Sequence, residues 1–157
     1  MTVGGANLAD DLGRLALISQ GEATDPGVSA WVSASAGTGK TKVLTDRVLS
    51  LLISGCPPQK ILCLTFTRAA AAEMESRIFD YLGEWVVLDD ASLEDKLFEI
   101  LGDRPDATQR ARARQLFAEV LDVPGGMHIE TIHAFCQSLL RRFPLEARVS
   151  PHFTLVD

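Results

Sequence analysis

The sequence predicts an α/β fold, a parallel sheet flanked by helices, on three observations. A short apolar stretch, "AWVSA" (30–34), leads into a glycine loop and then into an apolar-periodic segment. A continuous apolar run of strand length, "KILCLTF" (60–66), is followed by a second periodic segment, so the strand, loop, helix unit repeats. The chain has 157 residues, 46% of them hydrophobic and 23% charged, which is the composition of one globular domain able to bury a core.

Taken in order, residues 1–29 are rich in Gly, Ala and Asp around one short helix candidate, Leu12 to Ile18. Residues 1–19 are expected to be loose, with the ordered fold beginning near Gln20. "AWVSA" reads as a short buried strand. After the glycine loop, Val43, Leu44, Val48, Leu51 and Leu52 recur at helical spacing and the helix ends at Gly55. "KILCLTF" is the second strand, and Met74, Ile78 and Leu82 at i, i+4, i+8 mark the helix after it. Two further helices are predicted at 91–101 and 107–122. Leu93, Leu97, Phe98 and Leu101 line the first, and Leu116, Phe117, Val120 and Leu121 the second, as an inserted helical pair within 84–125. Pro124-Gly125-Gly126 breaks the chain before a third strand candidate, "MHIETI" (127–132), and a helix, "HAFCQSLLRRF", that stops at Pro144. The tail "HFTLVD" reads as the start of another strand.

Composition excludes several classes. No stretch approaches the roughly 20 apolar residues of a membrane span, which with the early acids Asp10, Asp11, Glu22 and Asp25 argues for a cytoplasmic protein without membrane attachment. Cys56, Cys63 and Cys136 have no C-x-x-C spacing, so neither a disulfide framework nor a zinc site is indicated. The net charge of −6 argues against a generic polyanion binder, yet it is concentrated: Glu84 to Glu99 holds six acids and one base, a net of −5. The rest is near neutral, and a local nucleic-acid face is compatible with it.

The chemistry begins at "ASAGTGKT" (34–41). A phosphate loop needs small residues so that successive N–H groups turn onto phosphate oxygens, and glycine where φ is positive or the ligand comes close. Ala34, Ser35, Ala36, Gly37, Thr38 and Gly39 form such a cradle. Lys40 is placed to reach the β and γ phosphates, Thr41 offers a hydroxyl to Mg²⁺, and the helix that follows points its positive end at the anion. These features predict a P-loop NTPase that binds ATP with Mg²⁺, Lys40 being the residue that acts on the phosphates. Ala34 stands where the usual pattern has its first Gly, a mild departure because Ala only requires negative φ.

That departure resembles the loop of superfamily 1 helicases of the UvrD/Rep type. "LTFTRAAAAEM" (64–74) is similar to their motif Ia and "TIHAFCQSLLRRFP" (131–144) to motif Ib. Gln20, twenty residues before Lys40, fits the adenine-reading Q motif. Within that superfamily, "SAWVSASAGTGKTKVL" and "PGGMHIETIHAFCQSLLRRFPLEA" look most like AddA-type components of helicase-nucleases, in the form found in alphaproteobacteria. The resemblance implies a RecA-like domain, here incomplete, and 3′ to 5′ ATP-driven translocation on single-stranded DNA in recombinational repair of double-strand breaks. Its implied partners are single-stranded DNA, the remainder of the helicase motor and an AddB-like nuclease subunit.

On the DNA side, Thr65, Thr67 and Arg68 sit at the C-terminal end of a strand, where hydroxyls and a base hold a phosphate backbone, and Phe66 offers a stacking face. The alternative is that Phe66 packs in the core and Thr65 caps a helix. Thr131 and His133 carry the same two readings, and His133 is assigned no acid or base role. Arg141 and Arg142 either complement a helix dipole or touch DNA. Hydrolysis also needs a carboxylate pair and arginines. In the helicases these lie further along, and Asp89-Asp90, in a polar stretch, is rejected for that part. The sequence therefore reads as the front piece of a motor. The rival readings are a non-catalytic module that binds nucleotide or a partner without turnover, and a small kinase-like P-loop enzyme.

Overall fold

A computed structural model of the chain describes residues 23–33, 39–150 and 153. Gln20, Ala34 to Thr38, the expected loose segment 1–19 and nearly all of the tail lie outside the described residues.

Helix α1 spans Lys40–Ile53. Its buried face includes Val43, Val48, Leu49, Leu52 and Ile53, while Leu44, which shares their periodic pattern in the sequence, is exposed. The helix stops at a Schellman turn: Gly55 has φ 96°, its N–H donates to Leu52 O, and Cys56 N–H donates to Leu51 O. A single 3₁₀ turn, Pro58–Lys60, then feeds strand β1, Leu62–Thr65.

Helix α2 covers Arg68–Val87 and buries Ala71, Met74, Ile78, Leu82 and Trp85, one stripe at spacings of three and four. Helix α3 (Asp90–Leu101) begins where Asp89 accepts the N–H of Ser92, and helix α4 (Ala107–Leu121) where Asp106 and Gln109 exchange bonds as a capping box. Gly125 and Gly126, both with positive φ, turn the chain into strand β2, His128–Thr131. Helices α5 (Ile132–Arg142) and α6 (Pro144–Ala147) follow.

Strands β1 and β2 pair in parallel, Leu62 opposite His128 through Thr65 opposite Thr131. The connection between them carries α2, α3 and α4, as a parallel pair requires a long crossover. The helical pair is not a decoration with a core of its own. Leu93, Leu97, Ile100, Ala113, Leu116 and Val120 join Leu49, Leu52, Ile78, Leu82 and Trp85 in one cluster. Each fully buried leucine in it is worth about 1.5–3 kcal/mol of transfer free energy.

The first expected strand is corrected. Residues 30–33 form no strand, and Trp31 is 94% exposed. Arg47 explains where this segment goes: its guanidinium donates to Ala23 O (2.9 Å), Asp25 O (2.8 Å) and Val28 O (2.6 Å). The chain before 30 is thereby held beside α1, and among the described residues 30–33 have no ladder partner. The sheet is covered by α2 on the side where Cys63 and Ile129 pack, while Leu62 and Leu64 are exposed on the other.

Candidate nucleotide site and nucleic-acid interface

Two candidate sites stand at helix N-termini. At the first, Gly39 is the N-cap of α1 with φ 82° and ψ 15°, a left-handed conformation that glycine adopts without strain. Among the described residues a Cβ there would meet nothing within 4 Å. Lys40 and Thr41 are the first two helical residues, Thr41 exposed and Lys40 half-buried. Of the predicted loop, Gly39, Lys40 and Thr41 are thus placed at a helix start, where N–H groups and the positive dipole end favour an anion. The same turn carries Lys42, whose ammonium meets the buried carboxylate of Asp46 at 2.6 Å. That hydrogen bond holds the Lys42 pKa above its ordinary value against the opposing effect of partial burial. Lys42 is therefore engaged along the helix.

The second site lies at the C-terminal ends of β1 and β2. Thr65 and Thr131 are register partners, and each strand runs directly into a helix. Thr67 caps α2, its Oγ1 accepting from Ala70 N–H at 3.1 Å, and Thr131 caps α5, its Oγ1 accepting from Ala134 N–H at 3.2 Å. The Thr65 hydroxyl caps no helix; it donates to Thr67 O at 2.9 Å and so shapes the loop between strand and helix. Two positive helix ends therefore converge at one edge of the sheet.

Phe66 sits between them and is 85% exposed, which removes the core-packing alternative for its ring. A cleft of about 240 Å³ is lined by Phe66, Arg68, Thr131, His133, Ala134 and Gln137. The structure thus brings together residues 66 and 68 with 131 and 133, which are more than sixty positions apart in sequence. Gln137 was missed by sequence reasoning. Its signal was its place one helical turn after His133.

The remaining charged groups take structural parts. Asp89 is the α3 cap, and bonds from the Ser92 N–H and hydroxyl hold its carboxyl below the usual range. Asp90 pairs with Arg114 at 2.7 Å, Glu84 with Lys96 and Glu94 with Arg110, so part of the acidic run is neutralised by bases on α3 and α4. Arg141 lies over the Phe153 ring and Arg142 over Phe143, both in the last turn of α5. Burial pushes the Cys63 thiol up. Among the described residues no cluster of three or more His, Cys, Asp or Glu side chains could hold a metal ion, and no helix is long and apolar enough to cross a membrane.

Residues 19–157 match the family described as UvrD/REP helicase N-terminal domain. The chain is also similar to curated proteins named as the A component of an ATP-dependent helicase/nuclease. The one from Lactobacillus gasseri is 36% identical over 132 residues, 84% of this chain and 9% of the relative. Those from Pediococcus pentosaceus and Listeria monocytogenes are each 33% identical, over 80% and 83% of this chain and again 9% of the relative. The chain therefore spans about a tenth of the length of these relatives.

Proposed function

The chain belongs to the UvrD/REP helicase N-terminal domain family, and from that premise we propose that residues 20–157 are the opening part of the ATP-binding domain of an AddA-like DNA helicase, with 84–125 as its helical insertion. The protein uses ATP to move 3′ to 5′ on single-stranded DNA in double-strand break repair, working in the cytoplasm with an AddB-like nuclease partner. The observation that carries the reading is the start of α1: a left-handed glycine followed at once by Lys40 and Thr41, on a helix whose other end is anchored in the core.

In this reading Ala34 to Thr38 and Gly39 wrap the phosphates, Gln20 reads adenine, Lys40 reaches the β and γ phosphates and the Thr41 hydroxyl holds Mg²⁺. When bound, the ion neutralises charge on the phosphate oxygens. Thr65, Phe66, Thr67, Arg68, Thr131 and His133 form the DNA face. Its two helix N-termini and Arg68 take the backbone phosphates, and the exposed Phe66 ring takes a base.

Titration of a fluorescent ATP analogue with Mg²⁺ tests the nucleotide site. Saturable binding that Lys40→Ala abolishes is the expected outcome. Equal binding by wild type and Lys40→Ala would overturn the assignment of the phosphate site.

A further inference from the structure

Helix α4 touches both functional helices through two arginines that nothing in the phosphate loop or the DNA-side motifs accounts for. Ala113 is fully buried on α4. Arg112 and Arg114 flank it in sequence and so project about 100° to either side of it. Arg112 Nε donates to Leu52 O at 2.5 Å, in the last turn of α1, and its Nη2 donates to Glu119 on α4 itself at 3.4 Å. Arg114 Nη1 donates to Trp85 O and Val86 O, each at 3.3 Å, in the last turn of α2, and its Nη2 donates to Asp90 at 2.7 Å.

The last carbonyls of a helix have no partner within it, and a cation there also complements the dipole; Leu52 O already accepts the Gly55 N–H of the Schellman turn, so Arg112 gives it a second donor. These two guanidiniums are thus tertiary C-caps. They are not surface ion pairs with negligible effect: their side chains are 24% and 34% exposed, and both act beside Leu52 and Trp85, which are fully buried. Helix α1 carries Lys40 and Thr41 at its opposite end, and α2 carries Thr67 and Arg68 at its own.

We propose that α4 is a strut that, beside the packing of α1 and α2 in the shared core, joins the nucleotide helix to the DNA-side helix, with Arg112 and Arg114 as the positioning residues that fix it to the far ends of both. The inference rests on the reading above, that α1 presents to ATP and α2 to single-stranded DNA. Rigid elements held by discrete bonds are what transmit coupling between sites, and a coupling is a reciprocal change in two affinities. Arg112 and Arg114 touch neither ligand; they act through the far ends of the helices that do.

The test measures two affinities in the 157-residue chain: that of a fluorescent ATP analogue with and without an oligo-dT strand, and that of the strand with and without the analogue. In the wild type each ligand changes the other's Kd by the same factor. In the Arg112→Gln, Arg114→Gln double variant that factor falls toward one, while each Kd measured alone stays within about two-fold of wild type. Loss of the separate affinities together with the coupling would mean a merely structural role and overturn the strut.

A wild-type factor of one, or an unchanged factor in the folded double variant, would overturn the inference and leave the proposed function standing. A wild type that binds neither ligand would overturn both. Should the double variant not fold, the single lysine variants decide. Arg112 makes its short bond to one carbonyl and a longer one, 3.4 Å, to Glu119. One ammonium can replace that short bond but cannot span the three acceptors of Arg114, so Arg112→Lys keeps the factor and Arg114→Lys lowers it; the reverse order overturns the strut.

Discussion

Thr67 separates the folding role of the DNA-side threonines from their proposed role toward DNA, because one substitution moves the two in opposite directions. Its Oγ1 accepts the N–H of Ala70 at 3.1 Å, and its φ and ψ of −127° and 148° are those of an N-cap. Thr67→Ala removes that acceptor and costs about 1 kcal/mol, which lowers the melting temperature by roughly 2–4 °C for a chain of this size. Thr67→Asp keeps an oxygen in the same place and sets a negative charge at the positive end of α2, a gain of about 0.3–1 kcal/mol. The same charge faces the phosphate backbone that α2 is proposed to bind. At about 4 Å in water, repulsion between two unit charges is near 1 kcal/mol, or roughly five-fold in Kd. Urea unfolding and the anisotropy of a labelled oligo-dT strand, at one fixed salt concentration because phosphate contacts are salt-dependent, read the two effects side by side. The expected result is a Thr67→Asp chain at least as stable as wild type that binds the strand more weakly. Binding equal to wild type would refute the placement of α2 against phosphate, and undiminished stability in Thr67→Ala would refute the cap.

Two further outcomes follow from the core and from the caps. Leu116 is fully buried on α4 within the shared cluster, so Leu116→Ala is expected to cost about 2–5 kcal/mol; a loss below about 1 kcal/mol in urea unfolding would mean that α4 packs without supporting the core. Asp89 has its carboxyl held below its ordinary value of 3.8 by the Ser92 N–H first and the Ser92 hydroxyl second. A depressed carboxyl contributes stability that is fully present above the unfolded value and is lost as pH falls through the folded one. Asp89→Asn, which keeps an N-cap without the ionisation, should therefore flatten the fall of the urea midpoint below pH ~4; an unchanged acid limb would show that Asp89 contributes none of it.

Much of this fold is legible because it is written at short range. The stripe Met74, Ile78, Leu82 predicts α2 by period alone, and Pro124-Gly125-Gly126 predicts the turn before β2 because two consecutive left-handed residues call for glycine. The "GKT" signal locates the start of α1 for the same reason: Gly39 needs its positive φ within the local turn. The stretch 30–34 shows where period and composition stop being enough. "AWVSA" has the apolar content of a buried strand, but a strand exists only where a partner lends it a ladder, and Arg47 instead ties the preceding residues to α1 through three carbonyls.

Arg112 and Arg114 show the same limit from the opposite side. They lie in a run of polar residues, "TQRARARQ", and an arginine that caps a helix sixty positions earlier leaves no trace in any window of sequence. What could have pointed to them is the accounting of backbone acceptors. Trp85 and Val86 lie in the last turn of α2, so their carbonyls have no helical N–H to accept from; Trp85 is fully buried, and water has little access to its carbonyl. A donor had to come from elsewhere in the chain, and a guanidinium reaching in from a neighbouring helix supplies one while keeping part of its surface in water. The rule that every buried carbonyl must be satisfied thus makes α4 part of the scaffold for both proposed sites, although none of its residues belongs to a recognisable motif.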